Sequence, residues 1–315
     1  LSEKSIISRL LASEEPAVRL KTYLRLLEHD YETAEVKKLI TNIKETSPTI
    51  ANFFKYLLKD SMGKTFHVYT KWQGAHWLLS ILADIGYPAG DATLQHCIDR
   101  EMKWLLFPTR WENKPVIDGR RRNCASQDGN GLYAALLLGF YDERCDALAE
   151  RLIQSQWPDG GWNCDKKPAA INSSYHESLI PLRALAVYSK EHSTTKVQET
   201  INKATELFLK RKLFRRLSNG EVINSRWLLL HYPMYWRYDV LIALKVLAEA
   251  DKIHDKRCTE ALDLLESKRL GDGGFPREDK YCQTSNPDAR QYSPGDWKGV
   301  SKKKMNGQQL MLFMF

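Results

Sequence analysis

The sequence predicts an all-α protein: an α/α toroid, that is, a barrel of helical hairpins in two concentric rings, preceded by a HEAT-like helical extension. Three observations predict it. Apolar residues recur at helical spacing along the whole chain, and no stretch alternates with the period of two that strands require. From Trp72 onward, helices apolar almost all round alternate with amphipathic, charged ones. An Asp-Gly-Gly-aromatic turn also occurs twice, 113 positions apart, at Asp159–Trp162 and Asp272–Phe275.

The extension comes first, over residues 1–60. A segment at 2–12 ends at Ser13-Glu14-Glu15-Pro16, where small polar and acidic residues before a proline signal a new helix. That helix, 16–28, places Val18, Leu20, Tyr23, Leu24, Leu26 and Leu27 on a broad apolar face. Two more, near 33–45 and 48–59, complete a pair of hairpins. The toroid, 61–315, then pairs its helices. The apolar members are 75–85, 131–140, 175–188 and 238–249; the charged members are 93–106, 146–156, 195–211 and 256–269. Helix 238–249 carries Val240, Leu241, Ile242, Ala243, Leu244, Val246 and Leu247, so it must be buried on every side. In 256–269, Cys258, Ala261, Leu262, Leu264 and Leu265 leave the opposite face charged. The 113-residue offset equals two hairpins of about 55 residues each, a length expected of helical-repeat arrays. Glycine accepts the positive φ that turns the chain after an outer helix, and the aromatic then stacks beneath its neighbour. Gly63 reads as a worn third copy, and the chain stops inside an apparent helix at 306–315, as an excerpt of a longer protein would.

Composition narrows the function classes. Of 315 residues, 43% are hydrophobic and 27% charged, ordinary for a soluble globular protein. No apolar run approaches the roughly 20 residues of a transmembrane helix, and no signal segment opens the chain. The net charge of +8 favours anions, yet only Arg120–Arg122 and Lys302–Lys304 form basic runs, so nucleic acid is not expected as a partner. Six cysteines without framework spacing point to a reducing, cytoplasmic setting.

The segment QSQWPDGGW at 154–162 matches the QW motif, Q-x(2–5)-G-x-W, of squalene and oxidosqualene cyclases, and related Gly-Gly turns recur in protein prenyltransferase β-subunits. From about residue 60 the chain therefore resembles the terpenoid cyclase and protein prenyltransferase superfamily. A cyclase of the squalene–hopene type would need a D-x-D-D acid motif, which is missing, as is D-D-x-x-D. The prenyltransferase resemblance implies more. Their β-subunits carry R-C-N-K-L-V-D-G-C-Y, and Arg122, Asp128 and Gly129 fall in register with it. Ser174-Tyr175-His176-Glu177 stands where that family has F-Y-H-T. By resemblance, Asp128 and His176 would be zinc ligands and Arg122 would face a diphosphate or other anion. The ligand Cys is replaced by Asn130, the Lys by Ala125 and the Tyr by Gly131.

Two cysteines stand ready to make up the loss. Cys124 lies four residues before Asp128, and Cys164 lies in the turn leading to His176. Loops preceding successive inner helices of a toroid converge at one end, so Cys124, Asp128, Cys164 and His176 would meet around one Zn²⁺. A second cluster, His231 to Asp239, precedes the next inner helix: His231, Tyr238 and Asp239 are candidate catalytic residues, and Trp236 and Arg237 candidate substrate contacts. Trp72 and His76 supply a comparable wall at the first inner helix. The expected function is a zinc-dependent, transferase-like toroid acting on a hydrophobic, isoprenoid-like molecule or a thiol-containing peptide, with or without a partner subunit. The contrasting expectation is a non-catalytic scaffold that uses the cavity and the amino-terminal helices for binding.

Overall fold

The computed structural model describes residues 3–61, 67–271 and 273–295. The expected helix at 306–315, the basic run at 302–304, Gly63 and Asp272 lie outside them. The described chain is dominated by helices. α1 (Glu3–Leu11), α2 (Pro16–Lys21), α3 (Ala34–Thr46) and α4 (Pro48–Ser61) form the amino-terminal hairpins. α2 does not run to Glu28 as one α-helix. Its second half widens over Thr22–Leu26, where the Leu27 N–H reaches back to the Thr22 carbonyl at 3.1 Å.

Four helices are buried almost all round: α5 (Ala75–Asp84), α8 (Ala125–Leu137), α10 (Tyr175–Tyr188) and α12 (Val240–Glu249). α6 (Gln95–Leu105), α9 (Glu143–Ser155), α11 (Thr195–Leu209) and α13 (Thr259–Ser267) are amphipathic and pack outside them. The two classes alternate as the sequence pattern requires. Between α6 and α8 lie the short helix α7 (Pro108–Glu112) and a two-residue antiparallel pair, β1 (Val116–Ile117) with β2 (Arg120–Arg121).

The four buried helices run in the same direction. Side chains near their amino ends touch: His76 and Asn130, Glu177 and Ser126, Tyr175 and Tyr238, Trp72 and Tyr235. Near the other end, Asp84 of α5 meets Arg183 of α10 and Lys245 of α12, both at 2.5 Å. The amphipathic helices supply the return path.

α8 begins six residues before the expected start at 131. Gly129 and Gly131 argue for a loop there, but tertiary contact overrides propensity. A Cβ on Gly129 would lie 3.0 Å from the Pro181 nitrogen, so the glycine lets α8 and α10 approach closely. The early start makes Asp128 a first-turn helical residue instead of a loop residue.

The 113-residue repeat is visible in the backbone. The Trp157 N–H donates to the Gly161 carbonyl and the Gly160 N–H to the Trp157 carbonyl; Leu270, Gly273 and Gly274 repeat both bonds. Gly160 and Gly273 take φ of +100° and +80°, open to glycine at little cost. The first turn also staples two outer helices. Gln156 donates to the Gly160 and Thr200 carbonyls, both at 2.8 Å, and the Trp162 indole N–H donates to Leu152 at 2.9 Å. The boundary expected near residue 60 is not a break in packing: one continuous apolar core takes in Leu20, Val36 and Phe53 together with Leu79, Leu132 and Leu244. α4 packs against both α5 and α6.

Candidate functional site

The loops before α8 and α10 bring Cys124 and Cys164 together. Cys124 holds the N-cap position of α8 and Cys164 lies in the coil that follows α9, near enough for each thiol to shift the other's pKa. Glu177, in the first turn of α10, completes the cluster. Its Oε1 lies 3.8 Å from the Cys164 sulfur, and its Oε2 accepts the Ser126 N–H at 3.0 Å. The Lys114 ammonium stands 4.0 Å from the Cys124 sulfur. Three segments distant in sequence thus place two thiols and a buried carboxyl side by side.

The electrostatics separate the two thiols. Donation from Cys164, helped by Lys114, lowers the Cys124 pKa against the opposing effects of burial, Glu177 and Asp128. The Cys164 thiol is pushed far up, first by its bond to Cys124, then by burial and Glu177. The proton of the pair therefore belongs to Cys164. Burial also raises the Glu177 carboxyl. Tyr69 borders the cluster, and burial chiefly raises its pKa, with Glu177 and both thiols adding to the effect.

Glu177 was not among the expected site residues, although the sequence carries a signal for it. Ser174 and Glu177 have the spacing of a capping box, in which the glutamate folds back onto the N–H of the capping serine. Here the Ser174 N–H donates instead to the Trp162 carbonyl at 2.8 Å. Glu177 is thereby released toward the thiols. Lys114, Tyr69 and Gln127 were also missed, since nothing in their spacing announces convergence.

The four expected zinc ligands are not gathered around one point. Asp128 is buried and accepts from the Asn123 side chain at 2.7 Å; burial raises its pKa despite that bond. His176 turns away from the thiols toward Trp236, with ring centroids 5.0 Å apart. Burial first, then Arg237 and His231, lower its pKa to about 4. Among the described residues, no group of three or more His, Cys, Asp or Glu is arranged to hold a metal ion.

The second cluster mixes core and rim. Asp239 lies against His231 Nδ1 and accepts the His231 backbone N–H at 3.0 Å while capping α12 through the Ile242 N–H at 2.9 Å. Both residues are fully buried, which makes this pair a clamp on the loop entering α12. The Tyr238 hydroxyl is likewise committed, to the Leu213 carbonyl at 2.5 Å. Trp236 and Arg237 remain half-buried, the guanidinium 4.9 Å from the indole. Trp72 is buried and stacked on Tyr235 at 4.2 Å, and His76 is buried on Glu101 at 2.8 Å, so both belong to the core. Arg122 is buried over Trp157 and donates to the Ala170 carbonyl at 2.6 Å.

A cavity of about 410 Å³ opens on the α6–α7 side, lined by Arg100, Lys103, Trp104, Phe107 and Arg110. Arg110 is shared with the thiol site. It stacks on Trp104 at 4.0 Å and donates to Gln127 at 2.6 Å, within electrostatic reach of Asp128 and Cys124. No described helix is long and apolar enough to cross a membrane. No protein-family model, no curated protein and no solved structure matches the chain.

Proposed function

We propose that the protein is a thiol-dependent, transferase-like enzyme on an α/α toroid, with Cys124 as the nucleophile. The observation that carries this reading is the meeting of Cys124, Cys164 and Glu177 from three separate segments. A thiol whose pKa is lowered by a hydrogen-bond donor and a nearby ammonium is the ordinary form of an activated cysteine. In the transfer step the Cys124 sulfur forms a bond to an electrophilic carbon, and the leaving group departs with the bonding electrons. The proton that Cys124 gives up passes to solvent, while Cys164, whose pKa is raised, keeps its own. Trp236, His176 and Tyr69 provide half-buried aromatic surface for an apolar or isoprenoid-like substrate. The parallel buried helices with amphipathic partners outside, and the repeated Gly-Gly turn, support the toroid.

The test is site-resolved alkylation. Iodoacetamide rates at each cysteine, followed by peptide mapping from pH 6 to 10, should show Cys124 reacting fastest and with its midpoint below that of an ordinary thiol, about 8.5. A haloacetamide carrying an isoprenoid chain should label Cys124 faster still. Equal rates at Cys124 and the buried cysteines would end the nucleophile reading. Stoichiometric zinc lost on Cys124→Ser would replace it with a zinc-dependent transferase.

A further inference from the structure

We infer that Cys124 and Cys164 form a reversible oxidation site, closing to an intramolecular disulfide when a peroxide reaches the cluster. The inference rests on the nucleophile reading only for its consequence, since closure removes the Cys124 thiol from chemistry. Three observations carry it. Of the six cysteines, Cys97, Cys145, Cys258 and Cys282 are buried, and Cys124 and Cys164 alone are half-buried and within reach of solvent. They also flank one carboxyl: Glu177 Oε1 lies 3.8 Å from the Cys164 sulfur and its Oε2 accepts the N–H of Ser126, two residues from Cys124, so the sulfurs need only a short approach to reach the roughly 2.05 Å of a disulfide. The approach is easy to make, because Cys164 sits in coil between α9 and α10 rather than inside a helix.

The chemistry balances with peroxide as the two-electron oxidant. The Cys124 thiolate attacks one peroxide oxygen, giving a sulfenic acid and hydroxide, which takes up a proton to become water. The Cys164 thiol, its proton passing to Glu177 Oε1 at 3.8 Å, then attacks the Cys124 sulfur. The S–O bond breaks, the S–S bond forms, and the departing hydroxide leaves as water with the proton held by Glu177. Two thiols are oxidised and one peroxide is reduced to two waters. A reducing thiol reverses the change.

Intact protein treated with hydrogen peroxide should lose two hydrogens per molecule, and non-reducing peptide mapping should join the Cys124 and Cys164 peptides. Dithiothreitol should restore the mass. Cys164→Ser should leave Cys124 as a sulfenic acid that dimedone captures. Over-oxidation of Cys124 to sulfinic acid in the parent protein without a cross-link, or cross-links scattered over other cysteines, would overturn the inference. The outcome is separable from the nucleophile reading: slow alkylation of Cys124 with efficient closure sinks only the latter, and fast alkylation without closure sinks only the oxidation site.

Discussion

Replacing Asp84 by Asn tests the energetics of the fold at its most charged interior point. Asp84 is 4% exposed and accepts from Arg183 and Lys245, each at 2.5 Å, with the Tyr232 hydroxyl at 3.3 Å. The Lys21 ammonium also donates to its backbone carbonyl at 3.1 Å. Glu249 is the second carboxylate, bound to Arg183 at 2.6 Å. Lys245, Arg183 and Lys21 together hold the Asp84 carboxyl far below its usual range, against the cost of burial. Asp84→Asn therefore leaves three basic side chains facing one carboxylate. Breaking one partner out of a buried ionic group costs about 3–5 kcal/mol. At about 2.1 cal/mol/K per residue the unfolding entropy of a chain this size is roughly 0.6 kcal/mol/K, so the melting temperature should fall about 5–8 °C. Circular dichroism at 222 nm during heating measures it. Asp84→Asn combined with Lys245→Met should recover part of the loss, because the second change removes an uncompensated cation. A single variant melting within 1 °C of the parent, or a double variant as unstable as the two losses added, would refute the reasoning.

Other outcomes follow from the same geometry. Burial, Lys245 and Arg183 lower the Lys21 pKa to about 7, so the unfolded chain holds more protons between pH 7 and 10. Stability should rise with pH across that window, and urea titrations of Lys21→Met should show a shallower rise. The His176 ring, lowered to about 4, should keep one chemical shift by NMR from pH 8 down to about 5, and Arg237→Ala should move its titration upward. Gly160→Ala should destabilise by about 3 kcal/mol or more in chemical denaturation, since its Cβ would collide with the Lys203 carbonyl at an unfavourable φ. Gly90→Ala, with positive φ but open space, should cost only about 1 kcal/mol.

Helical periodicity is a local property, so the sequence revealed most of the helices and their alternation. The start of α8 escaped because two glycines that look like a loop are there to admit α10. The convergence of Cys124 with Cys164 was also legible, because both precede buried helices whose starts lie at one end. His176 and Glu177 show where such reasoning stops. They are adjacent in sequence and both lie in the first turn of α10, yet one faces Trp236 and the other the thiols. A turn of helix separates neighbours by about 100°, and only the tertiary bond from Ser174 to Trp162 decides which of them meets the cysteines.

The common direction of α5, α8, α10 and α12 has an electrical consequence. In an up-and-down bundle neighbouring peptide dipoles cancel, whereas four helices running one way add theirs, roughly half a positive charge at each amino end. Cys124 caps one of those ends, so the scaffold itself favours the thiolate before any side chain is counted. The opposite, negative end holds the buried Asp84 and the half-buried Glu249. Two carboxylates there oppose the field, which gives a reason for Lys21, Arg183 and Lys245 to outnumber them. The fold is in effect polarised along its axis, with anionic chemistry favoured at one rim and a cationic counterweight built into the other.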